Sequence, residues 1–292
     1  MIVLLCLLLA FSSALSLERM FYVMGTYAYV DLPSEEEAYR AYKLMRSLEG
    51  KISDYIDSSE VSLINRNAGR RAVRVSEETM KVLRLALSAS EKTYGYFDVT
   101  VGALTINHKR HGRLTREEAE ELVNFRNLVL EDGSAFLKEE GMAVDLGGIG
   151  KGYALDLVRE KLSSPWGFVS IAGDMSVWGT ERVIAVKDPL SGGSLLQGVN
   201  AGDLCISTSG NYIRQHIEQR DEDLLQVTVV HRACALADAY ATALLSMPLH
   251  LRRKFMAENP DVGVLELYRD GSLHMNPAFR RSFRLIIFKD RE

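Results

Sequence analysis

The chain has little cysteine, little proline and no excess of basic residues. Only three cysteines occur, at Cys6, Cys205 and Cys234, which excludes a disulfide-rich scaffold and a cysteine-rich zinc module. Six prolines, with no repeat or low-complexity tract, exclude a fibrous protein. The formal net charge of −4 gives no electrostatic reason to expect nucleic-acid binding. With 47% hydrophobic and 25% charged residues over 292 positions, the composition is that of a globular protein.

The first sixteen residues contain no charged side chain. Ile2 to Phe11 is an unbroken apolar run, and small residues follow it up to Ser16. This order is typical of a secretory signal, and we expect cleavage after Ser16. The run is shorter than the roughly 20 residues that a membrane span needs. Because no lysine or arginine precedes the run, a buried N-terminal strand is the alternative interpretation. The sequence leaves open whether Cys205 and Cys234 form a disulfide.

Helix starts and strand-like runs give a coarse map of the fold. Ser34, Ser76 and Thr115 each precede a stretch with acidic residues in its first turn, which predicts three capped helices. The Asp132-Gly133 pair predicts a hairpin within 128–141. Further helices are predicted from after Gly152 to about Leu162 and at 235–246, a strand pair or bent strand at 20–32, and strands at 167–171, 183–186, 205–209, 225–230, 262–268 and 283–288. Because strands and helices do not alternate regularly, we predict an α+β fold with mainly antiparallel sheet.

Four glycines lie within the six residues 147–152, directly after Asp145. The segment does not match the Walker pattern, since Lys151 is followed by glycine and the position five before Gly150 is not glycine. Consecutive backbone N–H groups leading into a helix still suit a phosphate, and Lys151 would add a point charge. The alternative, a tight turn with a surface lysine, is less favoured because such a turn needs only one or two glycines.

Asp238 and Thr242 lie four residues apart, on one face of an otherwise apolar predicted helix. Oxygen ligands on a rigid face suit Mg²⁺, which binds few protein groups and completes its shell with water and phosphate. Taken alone, the pair favours the simpler interpretation, in which Asp238 caps or forms a salt bridge and Thr242 bonds back within the helix. The histidines show no metal-ligand spacing, and the basic stretch 107–113 is predicted to be a solvated loop.

These segments occur in a recognisable order. The chain resembles the ApbE family of FAD:protein FMN transferases over most of its predicted mature length. The matching segments are 24–26, 53–55, 57–60, 65, 97–102, 145–154, 172–174, 188–189, 209–212 and 237–244. The most specific are the Asp-Leu-Gly-Gly segment with its Lys-Gly-Tyr-Ala continuation at 145–154 and the Ala-Asp-Ala-Tyr-Ala-Thr-Ala helix at 237–243.

The resemblance implies a fold, a substrate and a set of site residues. It implies an α+β, T-fold-like architecture of two packed lobes, intertwined within a single domain at 17–292, with FAD bound in the cleft between them. It implies Mg²⁺ as cofactor, bridging the FAD diphosphate to the protein, and transfer of FMN to a threonine hydroxyl of an acceptor protein with release of AMP. The implied metal ligands are the Gly148 carbonyl, Asp238 and Thr242. The implied flavin-contacting residues are Met24, Tyr55, Asp145, Lys151 and Ile217.

The sequence departs from the family pattern on the side that would face the acceptor. His216-Ile217 occurs where the family has its histidine, and His216 is the candidate base, but the Pro and Thr-Gly that usually follow are missing. A surface histidine is the alternative. At 107–110 the chain also lacks the Trp-Gly-Phe-Gly turn that contacts the flavin in many members.

Two other functions stay open because of these departures. They are an exported FAD-binding protein without transfer activity and an Mg²⁺-dependent FAD pyrophosphatase that yields FMN and AMP. The resemblance implies an exported protein, periplasmic or on the outer face of the cytoplasmic membrane. Its acceptor would be a membrane redox-complex subunit or an exported flavoprotein, with no nucleic acid as partner.

Overall fold

The structure is a computed structural model that describes residues 17–210, 221 and 223–288. The strands are β1 Leu17–Val23, β2 Thr26–Leu32, β3 Val73–Arg74, β4 Leu128–Glu131, β5 Ser134–Leu137, β6 Gly167–Ile171, β7 Asp174–Trp178, β8 Val183–Lys187, β9 Ser194–Asn200, β10 Leu204–Gly210, β11 Leu224–His231, β12 Gly263–Tyr268, β13 Leu273–Met275 and β14 Phe283–Phe288. The α-helices are α1 Glu35–Ile52, α2 Glu60–Arg66, α3 Glu77–Lys92, α4 Arg116–Glu121, α5 Gly150–Lys161, α6 Cys234–Ser246, α7 Leu249–Glu258 and α8 Pro277–Arg281. A π-helix spans Ala103–Arg110 and a short 3-10 helix spans Phe125–Asn127.

The three predicted helix caps are confirmed. Ser34 Oγ accepts a hydrogen bond from the Glu37 amide at 3.2 Å, and Ser76 Oγ accepts one from Thr79. Thr115 forms a reciprocal capping box with Glu118. These side chains satisfy amides that have no partner within the first turn of a helix, so the local sequence is enough to fix where α1, α3 and α4 begin.

The main sheet has eight strands in the order β1-β2-β6-β7-β10-β11-β12-β13. Two smaller sheets have the orders β14-β9-β8 and β3-β5-β4. Every strand pairing among the described residues is antiparallel, apart from a single parallel bridge between Val101 and Ala143. The predicted α+β class with antiparallel sheet is therefore confirmed, whereas the division into lobes stays a prediction.

The main sheet buries apolar side chains on both faces. On one face, Val23 and Val30 belong to the same buried cluster as Met45 of α1 and Leu244 of α6. On the other face, the small sheet β14-β9-β8 covers the middle strands in a second cluster. The α5 and α6 helices thus lie on the first face, packed against each other and against the strands whose ends reach the site.

The basic stretch 107–113 is not the solvated loop that the sequence predicted. Its first four residues belong to the π-helix, which is held because Ala103 and Ile106 are buried. Asn107 Nδ2 donates to the Gly141 carbonyl at 2.8 Å, and the ring Nδ1 of His108 lies 2.9 Å from the Leu114 carbonyl oxygen. The charged residues of this helix therefore have fixed positions along one wall of the cavity described below.

The structure also settles the state of two cysteines. Cys205 of β10 and Cys234 of α6 form a disulfide. Within the described part of the chain, none of the helices combines the length and apolarity needed to cross a membrane.

Candidate active site

A cavity of about 930 Å³ opens beside the amino-terminal end of α5 and along one face of α6. The segments that contribute to its wall include the stretches after α1 and α3, the π-helix, the glycine loop before α5, the turn between β6 and β7, the last residues of β10, and one face of α6. Of the residues predicted from the sequence, those that line it are Tyr55, Asp145, Gly148, Lys151, Asp238 and Thr242. The structure therefore brings together residues that are nearly 190 positions apart.

Asp145 organises the glycine loop. Its amide donates to the Val99 carbonyl at 2.9 Å, which ties the loop to the segment before the π-helix. Its carboxylate accepts hydrogen bonds from the Gly147 amide at 2.8 Å and from Thr105 Oγ1 at 2.6 Å. Both carboxylate oxygens thus have protein partners, so Asp145 holds the loop in shape while lining the cavity.

Lys151 lies between two buried carboxylates. Its ammonium nitrogen is 3.0 Å from Asp174 Oδ2 and 3.3 Å from Asp238 Oδ2. Burial alone would lower the pKa of Lys151, but the charges of Asp174 and Asp238 hold that pKa above its usual range. Lys151 is therefore a fixed positive charge at the cavity wall, rather than the surface lysine of the alternative interpretation.

Asp238 lines the cavity, as expected of a metal ligand, and it also forms a salt bridge, as the simpler interpretation of the sequence proposed. Besides Lys151, it accepts a hydrogen bond from the Gly152 amide at 3.1 Å. Burial raises its pKa to about 6, and the nearby charge of Asp174 adds to the increase, against the lowering effect of Lys151. A buried carboxylate that is only partly compensated is suited to bind a further cation.

Gly148, Thr242 and Ser209 converge next to this carboxylate. A Cβ atom at position 148 would lie 3.1 Å from Thr242 Oγ1 and 3.3 Å from the Phe97 ring. Ser209 Oγ lies 3.5 Å from Thr242 Oγ1. These residues fit a hard divalent cation because they offer oxygen atoms as ligands. Since Gly148 has no side chain, its backbone can lie close to Thr242 and contribute to the same site.

Asp174 is a site residue to which the sequence reasoning assigned no role. It is buried, Ser207 Oγ donates to its Oδ1 at 2.5 Å, and its Oδ2 has no described partner other than the Lys151 ammonium. The sequence did contain a signal for this residue, because Asp174 belongs to 172–174, one of the segments that resemble the ApbE family. Only the packing of α5 against β7 shows that this carboxylate faces Lys151.

Tyr55 and Arg110 form one edge of the cavity. The Arg110 guanidinium stacks 3.8 Å from the centre of the Tyr55 ring, a cation–π geometry, and donates to Asp54 Oδ2 at 2.6 Å. Burial and the charge of Asp145 raise the pKa of Asp54, against the lowering effect of Arg110. The π-helix therefore supplies this edge of the cavity with a cation.

Among the described residues, Met24 is the predicted site residue that does not line this cavity. Met24 lies in the left-handed turn between β1 and β2, with φ 55°, where its Cε is 3.8 Å from the place a Cβ on Gly150 would take. Its predicted flavin contact would therefore be made from the neighbouring hairpin. His216 and Ile217 lie outside the described residues, so their roles stay predictions.

The comparison with known families identifies the chain. The model of the ApbE family matches residues 24–265. The chain belongs to the ApbE family. The recognition made from the sequence is confirmed, and the family is one of flavin transferases, as predicted.

Curated relatives and solved structures agree with this membership. The FAD:protein FMN transferase of Vibrio cholerae is 28% identical over 70% of this chain and 71% of its own length. That of Chlamydia pneumoniae is 27% identical over 86% of this chain and 88% of its own length. Among solved structures, the ApbE protein of Thermotoga maritima has a TM-score of 0.81 at 25% identity, with 92% of this chain and 100% of that chain covered. The flavin transferase ApbE of Vibrio cholerae has a TM-score of 0.80 at 24% identity, over 92% and 99% of the two chains.

Proposed function

We propose that this protein is an Mg²⁺-dependent transferase that moves FMN from FAD to a threonine hydroxyl of an acceptor protein. In this reaction the threonine oxygen forms a bond to the FMN-side phosphorus, and the bond from that phosphorus to the AMP oxygen breaks. The threonine proton leaves to a base, for which His216 is the candidate, and AMP departs. The observation that carries the proposal is the convergence of Lys151, Asp174, Asp238, Thr242 and Gly148 in one cavity.

The start of α5 is suited to hold the diphosphate. The Gly147–Gly150 loop leads into this helix, and the positive end of the helix dipole at its amino terminus favours an anion. Lys151, in that same turn, has a side chain that is 27% exposed, so its charge reaches the cavity although it is paired within the protein. Together they attract the dianionic group without a basic surface elsewhere on the protein.

The metal would be held by Asp238, Thr242 and the backbone at Gly148, with Asp174 close by. When bound, Mg²⁺ would neutralise the charge of the phosphate oxygens during transfer. Lys151 holds the two carboxylates in position before the cation arrives, because its ammonium forms an ion pair with each of them. The protein therefore presents a preformed site rather than one that must reorganise.

The apolar, uncharged segment 1–16 supports the further proposal that the protein is exported and acts at the outer face of the cytoplasmic membrane or in the periplasm. The acceptor would then be an exported flavoprotein or a membrane redox-complex subunit with an accessible threonine.

Asp238→Asn tests the metal part of the proposal. It keeps the size of the side chain but removes the charge, so we expect flavin transfer in the presence of FAD and Mg²⁺ to fall at least about 100-fold, the upper range for losing an interaction that supports a metal. Asp132→Asn is the matched control, since Asp132 is exposed in the β4–β5 turn with φ 46°, a conformation that asparagine accepts. Unchanged transfer by the Asp238 variant, with several threonine-containing acceptor proteins, would show that Asp238 does not hold the metal.

A further inference from the structure

The disulfide joins the two elements that supply the candidate metal site. Cys205 lies in β10, whose last residues Thr208 to Gly210 line the cavity. Cys234 is the first residue of α6 and lies one helical turn before Asp238. Both cysteines are buried, at 0% and 2% exposure. A covalent bond therefore connects the two chain segments just before each reaches the site.

Asp156 of α5 holds the same helix end. Its carboxylate accepts hydrogen bonds from the Cys234 and Ala235 amides, both at 2.8 Å. The residue at the cap position of α6, Ala233, has no side-chain oxygen to do this. The Asp156 carboxylate also lies within 4.8 Å of both cysteine sulfurs. The start of α6 is thus fixed by one covalent bond and by a cap that another helix provides.

Helix α5 transmits this constraint to Asp238. A Cβ atom at Gly152 would lie 2.2 Å from the Cys234 carbonyl oxygen, so the two backbones are in direct contact there. The same Gly152 donates its amide to Asp238 Oδ2. A shift of the α6 end would therefore change the position of Asp238 relative to both Gly152 and Lys151.

We propose that the Cys205–Cys234 disulfide and Asp156 form a clamp that positions Asp238 and Thr242 for the divalent cation, and that reduction of the disulfide weakens cation binding. This rests on the metal site of the proposed function. Reduction by a dithiol breaks the S–S bond and gives two cysteine thiols, while the reagent is oxidised to its cyclic disulfide. The first turn of α6 is then held only by hydrogen bonds and packing.

The test measures Mn²⁺ and Mg²⁺ affinity by calorimetry on the full chain, before and after treatment with dithiothreitol and alkylation. Peptide mass spectrometry verifies the state of Cys205 and Cys234. We expect a loss of affinity of about ten-fold on reduction, and a similar loss in the Cys205→Ser/Cys234→Ser double variant. Asp156→Asn should also weaken binding, since its amide nitrogen cannot accept from an α6 amide.

Two controls separate positioning from a general loss of stability. Dithiothreitol should have no further effect on the double variant. Val229→Ala, which removes two methyl groups from the buried face of β11, should lower the melting temperature without changing the cation affinity. Equal affinity in the oxidised, reduced and double-variant proteins would overturn the clamp and leave the proposed function intact. If the oxidised protein bound neither cation, the proposed metal site itself would be wrong, and the clamp with it.

Discussion

Gly148 leaves a gap that any side chain would fill, because a Cβ there would lie 3.1 Å from Thr242 Oγ1. We expect Gly148→Ala to weaken Mg²⁺ binding and to reduce flavin transfer by about ten-fold, since the added methyl group pushes against a ligand. Gly193→Ala is the control, because a Cβ at position 193 has only ordinary contact with Ser191 Oγ, at 3.5 Å. Calorimetric titration with Mg²⁺ measures the effect. Equal Mg²⁺ affinities for the two variants would show that Thr242 and Gly148 do not bind the same cation.

Lys151 compensates two buried carboxylates at once. Lys151→Gln leaves Asp174 and Asp238 facing each other without a cation, and we expect the free energy of unfolding without metal to fall by about 3 kcal/mol. Saturating Mg²⁺ should restore more stability to this variant than to the natural protein. Chemical denaturation with and without Mg²⁺ measures both effects. Lys138→Gln, at an exposed position, should change neither, and an equally small effect at Lys151 would contradict its central place in the site.

Asp98 shapes the turn before the π-helix, by accepting hydrogen bonds from the amides of Thr100 and Phe125. Burial raises its pKa above the ordinary value, against the lowering effect of these bonds. The folded protein therefore holds this proton more tightly than the unfolded chain. The associated stability is fully present below the unfolded pKa of about 4 and is lost as pH rises through the folded pKa.

We therefore expect the stability of the natural protein relative to Asp98→Asn to decrease as the pH rises above about 4. Urea unfolding at increasing pH measures the difference. A stability difference that grows with pH would show that hydrogen bonding outweighs burial at Asp98.

A site residue could be predicted from the sequence when a local motif or helical spacing indicated it, and not when its position depended on long-range contacts. Helical spacing placed Asp238 and Thr242 on one helix face, but their metal role followed only from the family resemblance; for Lys151, a local motif indicated a phosphate site. Asp174 could not be placed, because its partner Lys151 comes from α5, and the packing of α5 on β7 is a long-range contact. Arg110 could not be placed either, since its stacking on Tyr55 depends on a π-helix that no simple spacing rule predicts.

At the scale of elements, the contact between α5 and α6 depends on Gly152. The sequence interpretation assigned the glycines of 147–152 to a phosphate loop, but Gly152 lies inside α5 and makes room for the Cys234 carbonyl. Gly152→Ala should force the helices apart, which we expect to cost about 3 kcal/mol and to weaken cation binding.

The matched control is Gly50→Ala, in α1, where nothing lies within 4 Å of the added Cβ. Since alanine is the better helix former, this variant should be as stable as the natural protein or slightly more so. Thermal unfolding compares the two variants. Equal stability in both would contradict the close packing of α5 on α6.

Several elements with strong end signals were predicted, although α2 and α8, which are capped by Ser59 and Asn276, were missed. Helices α1, α3 and α4 and the Asp132-Gly133 hairpin have local signals and were predicted. Strands β7 and β9 were not, because serine, aspartate and glycine interrupt their apolar residues. Both are stabilised by neighbours on each side, which is a property of the sheet and not of their own sequence.

At the scale of the whole molecule, the class of fold followed from composition and element order, but the strand order did not. Strand β2 pairs with β6, more than 130 residues away, and no short-range pattern records this. That pairing brings the β6–β7 turn with Asp174 to the cavity. A family resemblance can anticipate such an arrangement, whereas local physical rules cannot.

The predicted export of the protein is tested on the intact chain. If residues 1–16 are a signal, the protein produced in a bacterial host should be recovered outside the cytoplasm with Leu17 as its first residue. Mass spectrometry of the N-terminal peptide identifies that residue. Recovery of only the full-length chain from the cytoplasm would contradict the prediction.

The most direct test of the proposed function is a product balance for FAD, made by chromatography with and without an acceptor protein. The proposal predicts that AMP appears in equal amount to FMN bound covalently to the acceptor, only when Mg²⁺ and acceptor are both present. Bound FAD with no AMP would indicate a flavin-binding protein instead. Free FMN and AMP formed without acceptor would indicate a pyrophosphatase, and either result would contradict the proposed function.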